Sequence, residues 1–133
     1  MNAVDTNVLF YVHDPRDPGK QRIASSLIAA LSDGALLWQV ACEYLWASRK
    51  LEPFGYSSSE AFNEIRELRR VWSSVMPDWK ALDRAETLKT AYSLSFWDAL
   101  IIATCLEAGV QRLFSEDLGY QSVETLEIKN PFQ

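Results

Sequence analysis

The order of apolar and polar positions predicts short buried strands separated by helices. Residues 2–4 predict a buried strand that ends near Asp5, and the apolar run from Val8 to Val12 predicts a short helix. Apolar residues recur at helical spacing over 20–31, which predicts an amphipathic helix. Gly34 follows this segment, where glycine commonly ends a helix. The first third of the chain is thus predicted to be strand, helix, helix.

The rest of the chain repeats this alternation. Residues 35–38 form an apolar run too short for a helix, and a helix is predicted from Val40 to Leu51, ending before Pro53. Further helices are predicted over 57–72, 80–92 and 97–108, and strands over 112–115 and 125–128, the last at a sheet edge. Strands that alternate with helices imply a parallel α/β sheet, because a parallel crossover needs a connection of helix length. One domain over residues 1–133 is expected.

Two acidic residues directly follow predicted strands. Asp5 comes after the first strand, and Asp117 follows the strand over 112–115. In parallel α/β sheets, ligands bind beyond the carboxyl ends of the strands. We therefore expect these two carboxylates to lie near each other despite their separation in sequence.

Asp5 and Glu43 each have a structural and a functional interpretation. Asp5 interrupts an apolar segment, where a buried charge is costly unless it is compensated, but aspartate is also a favoured N-cap residue. Glu43 lies four residues after Gln39, so the two share one helix face. Taken alone, Glu43 is typical of a solvated helix residue.

The other acids are equally ambiguous when each is considered alone. Ser95 and Asp98 have the spacing of a capping box at the start of an apolar helix. Glu116 and Asp117 follow Ser115 at a predicted strand end, where acidic residues are common in polar turns. No single acid identifies a site.

The acids together, in their order and local contexts, make the chain resemble the PIN-domain nucleases, and most of all the VapC-type toxins of toxin–antitoxin pairs. The matching segments are Val4–Leu9, Gln39–Tyr44, Ser95–Ile101, Leu113–Leu118 and Asn130–Phe132. By this resemblance the family's acidic quartet corresponds to Asp5, Glu43, Asp98 and Asp117. Its supporting polar positions correspond to Thr6 and Ser115, and Glu116 is a candidate fifth acid. The chain departs from the family after the fourth acid, where the usual glycine-rich turn is reduced to Gly119-Tyr120-Gln121.

The resemblance implies a three-layer α/β/α fold with a short-stranded parallel sheet, and a metal-dependent endoribonuclease acting as the toxin of a type II pair. Its implied partners are an RNA substrate, a cognate antitoxin in the active-site groove and a second copy of the chain. Hydrolysis of a phosphodiester needs an activated water and relief of negative charge, which Mg²⁺ or Mn²⁺ can supply. These hard ions prefer oxygen ligands, which an acidic quartet provides.

The composition limits how such a protein can bind a polyanion. The formal charge is −5 and the isoelectric point near 4.8, which argues against a chain that binds nucleic acid through an overall basic surface. Three groups of basic residues are candidate phosphate contacts, although their default interpretation is a solvated helix face: Arg16, Lys20 and Arg22; Arg49 and Lys50; and Arg66, Arg69 and Arg70. Cys42 and Cys105 are expected to be buried, reduced thiols. With no signal sequence or apolar span, a cytoplasmic protein is expected.

Other candidate groups carry less weight. His13 is the only histidine, so a ribonuclease mechanism that needs two is excluded, and we expect a structural or surface role. The five tryptophans are expected in the core or at an interface, with a base-stacking surface as the alternative.

Two other functions remain open at this stage. An aspartyl-phosphate phosphotransferase or phosphatase also places its nucleophile, here Asp5, after the first strand, but Asn7 stands where a second aspartate is usual. A non-catalytic PIN-like RNA-binding module is the second alternative, although such a module gains nothing from clustered negative charge.

Overall fold

The computed structural model describes residues 1–133 and contains one six-stranded sheet with helices on both faces. The strands are β1 (Asn2–Val4), β2 (Gly34–Leu37), β3 (Ser73–Val75), β4 (Arg112–Phe114), β5 (Ser122–Val123) and β6 (Leu126–Lys129). The helices are α1 (Thr6–Tyr11), α2 (Pro18–Ala30), α3 (Trp38–Ala47), α4 (Ser58–Val71), α5 (Trp79–Tyr92) and α6 (Phe96–Glu107), and a 3-10 helix, Ser48–Phe54, follows α3.

The strand order is β3-β2-β1-β4-β6-β5, and only β5 runs antiparallel to its neighbour. The chain steps from β1 to β2 and then to β3 in one direction, and returns from β3 across the sheet to β4. Because parallel crossovers are right-handed, these two directions put their helices on opposite faces. Helices α1 to α4 accordingly pack on one another, and α5 packs on α6. The predicted three-layer α/β/α fold with a mostly parallel sheet is confirmed.

Strand β1 lies at the centre of the sheet and fixes the position of Asp5. It pairs with β2 on one side and with β4 on the other, and Ala3 and Val4 are at most 1% exposed. Val4 pairs with Phe114, and the next backbone N–H, that of Asp5, donates to the Phe114 carbonyl at 2.8 Å. The carboxyl ends of β1 and β4 are therefore adjacent, as expected from the sequence.

Gly34 does not end a helix, which corrects the prediction from its sequence position. It is the first residue of β2, and α2 ends earlier, at Ala30. A Cβ on Gly34 would lie 2.2 Å from the ring of Trp72, which also donates its indole N–H to the Leu31 carbonyl at 3.2 Å. Glycine is required here because the indole covers this backbone.

The sheet edges also differ from the prediction. The strand predicted at an edge, β6, is internal, because the two-residue strand β5 pairs with its outer side. At the other edge, β3 carries two exposed serines, a pattern without the apolar alternation that predicts a strand. The predicted helix over 40–51 is divided, since α3 ends at Ala47 and the 3-10 helix continues beyond Pro53.

Several side chains are more exposed than expected. Cys42 lies on the surface while Cys105 is buried, and both are free thiols, so the expectation of burial is wrong for Cys42. Of the tryptophans only Trp72 belongs to the core, and the other four are between 53% and 81% exposed. The expectation of a core or interface position therefore holds as core only for Trp72, and for the other four an interface position stays a prediction. No helix has the length and apolar character needed to cross a membrane.

Candidate active site

A cavity of about 530 Å³ opens at the carboxyl ends of β1 and β4. Six carboxylates line it: Asp5, Asp14, Glu43, Asp98, Glu116 and Asp117. The structure thus brings together all four acids of the predicted quartet, along with the candidate fifth acid. Thr6 also lines the cavity, and Ser115 is buried beside it.

Asp5 is the most buried member of the predicted quartet. It caps α1 by accepting the Thr6 N–H at 2.7 Å through Oδ1, and its Oδ2 accepts the Ser115 hydroxyl at 2.7 Å. Burial raises the pKa of Asp5 to about 6; these two hydrogen bonds act to lower the pKa, and the charges of Glu43 and Asp98 raise it further. The N-cap and site interpretations of Asp5 are therefore compatible.

Glu43 is held in place by two neutral donors. Its Oε2 accepts the Thr6 hydroxyl at 2.9 Å, and its Oε1 accepts the Gln39 side-chain amide at 2.8 Å, across one turn of α3. The same Gln39 nitrogen donates to the Trp97 carbonyl at 3.1 Å, at the start of α6. Gln39 therefore links the helix that carries Glu43 to the helix that carries Asp98.

Asp98 has the position of a capping-box residue without the complete interaction. Its backbone N–H donates to the Ser95 hydroxyl at 3.2 Å, as in a capping box. The Asp98 carboxylate, however, accepts no hydrogen bond from any other residue and forms no ion pair. Because a capping box uses that carboxylate to accept the N-cap N–H, the cap alone does not explain the aspartate.

Asn7 organises the two acids after β4. Its side-chain amide donates to Asp117 Oδ2 at 3.3 Å, and its carbonyl oxygen accepts the Glu116 N–H at 3.4 Å. The Asp117 N–H also approaches the Ser115 hydroxyl at 3.4 Å. Asp117 is exposed. Asn7 therefore supports the turn that carries Glu116 and Asp117.

Glu116 differs from the quartet because a cation neutralises it. It contacts Lys20 through Oε1 and accepts the Tyr11 hydroxyl at 2.7 Å through Oε2. Burial acts to raise the pKa of Glu116, but Lys20 and Tyr11 together hold it below its ordinary value. In turn, Glu116 and Tyr11 raise the pKa of Lys20.

Asp14 is a second buried carboxylate of the cavity, only 4% exposed, and it too is neutralised. Arg16 donates to it twice, from Nε at 2.8 Å and from Nη2 at 3.1 Å, and the Arg16 N–H adds a contact at 3.1 Å. These interactions lower the pKa of Asp14, with the side-chain hydrogen bond from Arg16 as the largest cause.

The donor set of the cavity fits a hard divalent cation. Its carboxylate, hydroxyl and amide oxygens are those that Mg²⁺ and Mn²⁺ prefer. Burial is the main cause of the raised pKa of Asp5, the charges of Glu43 and Asp98 add to it, and no protein cation offsets them. As the side chains lie, no three of the acidic, histidine or cysteine residues form a group that could hold a metal ion. An ion bound there would have to draw the carboxylates together.

Sequence reasoning did not identify several residues that organise this cavity. Asn7, Asp14 and the Lys20–Tyr11 pair are each defined by contacts between separate segments, and the only local signal was the position of Asn7 directly after Asp5-Thr6. His13 lies outside the cavity lining and stacks on Tyr56, with ring centroids 4.1 Å apart. This contact is structural, as expected.

Comparison with known proteins gives one family match. The sequence model of the PIN domain matches residues 3–126, a range that contains all four acids of the quartet. A search among curated protein sequences found no significant match.

Solved structures with the same fold cover almost the whole chain. A Mycobacterium tuberculosis protein, VapC20, described as a toxin that cleaves the sarcin–ricin loop, superposes with a TM-score of 0.75 at 19% identity, covering 98% of this chain and 100% of that one. A toxin–antitoxin complex from Klebsiella pneumoniae gives 0.72 at 18% identity, with 98% of both chains covered. VapBC2 from Rickettsia felis, bound to a promoter DNA fragment, gives 0.68 at 13% identity over 97% of both chains. At these identities the likeness establishes the fold.

Proposed function

Since the chain belongs to the PIN-domain family, we propose that it is a metal-dependent endoribonuclease that hydrolyses RNA phosphodiester bonds. The observation that carries the proposal is the state of Asp5. It is 7% exposed, has a pKa raised to about 6 and faces the charges of Glu43 and Asp98 without a neighbouring cation. Such a carboxylate cluster costs stability, and a bound divalent ion would offset that cost.

The residues that would hold Mg²⁺ or Mn²⁺ are Asp5, Glu43 and Asp98, with Asp117 beside them. The ion supplies relief of charge on the phosphoryl group and a more acidic water. In the hydrolysis, a water oxygen bonds to phosphorus, one phosphorus–oxygen bond to ribose breaks, and the leaving oxygen takes a proton. The protein contributes orientation: Thr6 fixes both Asp5 and Glu43, and Ser115 fixes the other oxygen of Asp5.

The first test is cleavage of a total-RNA pool by purified protein, with and without Mg²⁺ or Mn²⁺, followed by mapping of the RNA ends. We expect cleavage with either ion and none in excess chelator. Asp83 on α5 is exposed and outside the cavity, so Asp83→Asn is a matched control for changes in the quartet. Full activity in chelator, or a covalent phosphate on Asp5, would contradict the proposal.

We also propose that the activity belongs to a toxin, acting in the cytoplasm and restrained by an antitoxin. The Klebsiella pneumoniae neighbour is a toxin–antitoxin complex. Here an apolar groove of about 560 Å³ between α3, α4 and β3 includes Phe62, Ile65 and Met76 and is bordered by Arg66 and Arg69. Its charge fits a segment that carries both apolar and acidic residues. Expression of the chain alone should arrest growth of a suitable host, and the Asp5→Asn form should not.

We also propose that the chain forms a homodimer. Trp38, Trp46 and Trp97 line one shallow depression beside Glu43 and are each more than half exposed. Exposed aromatic clusters of this kind are typical of protein interfaces. We expect a dimer mass by light scattering, and a monomer for Trp46→Ser. Trp79→Ser, on α5 and outside this depression, is the control and should remain dimeric.

A further inference from the structure

Two cations line the same cavity as the six carboxylates, although the whole chain is acidic. They are Arg16, in the loop between α1 and α2, and Lys50, in the 3-10 helix. The two segments meet, because the Arg16 guanidinium lies 5.1 Å from the ring centroid of Phe54, four residues after Lys50. We call Arg16 and Lys50 the cationic border of the cavity.

Arg16 is held rigidly but retains donors. Asp14 engages its Nε and Nη2 with two parallel hydrogen bonds, and Asp14 itself is almost fully buried. Arg16 Nη1 has no protein acceptor, and the Arg16 side chain is 52% exposed. A guanidinium fixed in this way loses little freedom when it binds a further anion.

Lys50 is free of protein partners. It is exposed, and it forms neither an ion pair nor a side-chain hydrogen bond. Lys20 provides the contrast, since Glu116 and Tyr11 occupy its ammonium group. Among the residues that line the cavity, Lys50 therefore supplies an unpaired positive charge, and Arg16 supplies donor groups that its ion pair with Asp14 leaves free.

We propose that the cationic border binds the phosphodiester backbone of RNA next to the cleaved bond, and that Asp14 is the positioning residue for Arg16. The proposal rests on the nuclease function proposed above, because it needs RNA in this cavity. Guanidinium and ammonium groups are the usual partners of phosphate, and arginine suits it by geometry as well as by charge. A polyanion that approaches six carboxylates needs such an anchor in addition to any metal ion.

The test measures binding of a fluorescently labelled 12-nucleotide oligouridylate in chelator, by anisotropy, over a series of salt concentrations. Each phosphate contact on a single strand contributes about 0.7 to the slope of log affinity against log salt. Arg16→Ala and Lys50→Ala should each remove about that slope and weaken binding roughly tenfold. The exposed Lys89 on α5, outside the cavity, gives the control Lys89→Ala, which should match the wild type.

Two variants separate positioning from charge. Arg16→Lys should keep the salt slope but bind several-fold more weakly, because lysine lacks the planar fork. Asp14→Asn removes a negative charge from the cavity, so an effect of charge alone would make RNA bind more tightly. If Asp14 instead acts by holding Arg16 in place, the same substitution makes RNA bind more weakly. We expect weaker binding with an unchanged circular dichroism spectrum.

The outcomes distinguish this proposal from the nuclease proposal. If the wild type cleaves RNA with metal but Arg16→Ala and Lys50→Ala bind as Lys89→Ala does, the cationic border is wrong and the nuclease stands. If both variants weaken salt-dependent binding but the wild type cleaves nothing with either metal, RNA binding at the border stands, and the nuclease and the position of the border next to a cleaved bond are both rejected. Wild-type protein that shows no salt-dependent binding also overturns the border.

Discussion

Asp5 and Asp14 are two buried aspartates of one cavity, and their environments shift their pKa values in opposite directions. Asp14 is 4% exposed and its pKa is lowered, while Asp5 is 7% exposed and its pKa is raised to about 6. The exposed fractions are similar, but Asp5 lies deeper in the protein, so burial is the largest cause of its raised pKa, whereas the hydrogen bond from Arg16 is the largest cause of the lowered pKa of Asp14. Asp14 meets the guanidinium of Arg16, whereas Asp5 meets neutral donors and further carboxylates.

The cavity accordingly has two parts. The anionic half consists of Asp5, Glu43, Asp98 and Asp117, which have no protein cation, and the paired half consists of Asp14 with Arg16 and Glu116 with Lys20. Both ion pairs of the cavity lie in the paired half. Charge left without a partner in one half therefore marks where an external cation would bind.

The largest effect should be on catalysis in the anionic half. Glu43→Gln keeps the size of the side chain but removes its charge and one of its two acceptor oxygens, so we expect cleavage at saturating Mn²⁺ to fall on the order of 1000-fold, about 4 kcal/mol in the barrier. Glu116→Gln in the paired half should retain most of the activity, because Lys20 already neutralises Glu116. If the single-turnover cleavage rates of the two variants fell equally, the anionic and paired halves would not differ in their contribution to catalysis.

Stability should respond with opposite signs to the same substitution in the two halves. At pH 7 in chelator, Asp5→Asn should raise the free energy of unfolding by up to ~3 kcal/mol, because it removes a charge whose pKa the fold raises. Asp14→Asn should lower the free energy of unfolding, because it removes the ion pair with Arg16, which is half exposed, and weakens its hydrogen bonds. Denaturant midpoints measure both. A loss of stability for Asp5→Asn would show that its hydrogen bonds outweigh the repulsion.

Metal binding should stabilise the protein through the anionic half. Mg²⁺ at about one hundred times its dissociation constant should add ~2.7 kcal/mol to the free energy of unfolding. Asp98→Asn should largely remove this gain while leaving the protein in chelator as stable as before, since the Ser95 cap uses the backbone of residue 98. If Asp98→Asn melts like the wild type across a Mg²⁺ titration, Asp98 is a cap and not a ligand.

The smallest effect is a dependence of stability on pH in chelator. The folded-state pKa of Asp5 is raised from 3.8 to about 6, so the native protein binds more protons than the unfolded chain between those values, and stability falls as pH rises through them. Lowering the pH from 7 to 5 should recover about 1 kcal/mol from Asp5. The difference in free energy of unfolding between wild type and Asp5→Asn isolates this contribution. If that difference did not change between pH 5 and pH 7, the raised pKa of Asp5 would be contradicted.

The anionic half was more predictable from sequence than the paired half. Asp5 and Asp117 follow strands, so the rule for parallel sheets places them together, and Glu43 and Asp98 came from the resemblance to the family. The pair of Asp14 and Arg16 lies in a loop, where two residues of opposite charge are common and nothing in the pattern indicates burial. Contacts such as Lys20 with Glu116 depend on tertiary packing across 96 positions and have no local signature.

The lack of a local sequence signature also explains the errors in the predicted fold. Strands β3 and β5 are held by backbone pairing with a neighbour, and their side chains carry too little apolar pattern to predict them. Gly34 was interpreted as a helix stop because glycine occurs in several kinds of position. Only the close approach of the Trp72 ring shows that glycine is needed here to make room for the indole. Buried central strands and long helices were predictable because one face of each must be apolar.

The hydrogen bond between Ser115 and Asp5 joins residues 110 positions apart, and it has a consequence for the timing of biosynthesis. During translation Asp5 leaves the ribosome early, but β4 cannot pair with β1 until residues beyond 112 have emerged. Until then the chain lacks Ser115, Glu116 and Asp117, so its carboxylate cluster is incomplete. Because domains generally fold as units as they are made, the complete carboxylate cluster forms only once β4 is in place, near the end of synthesis.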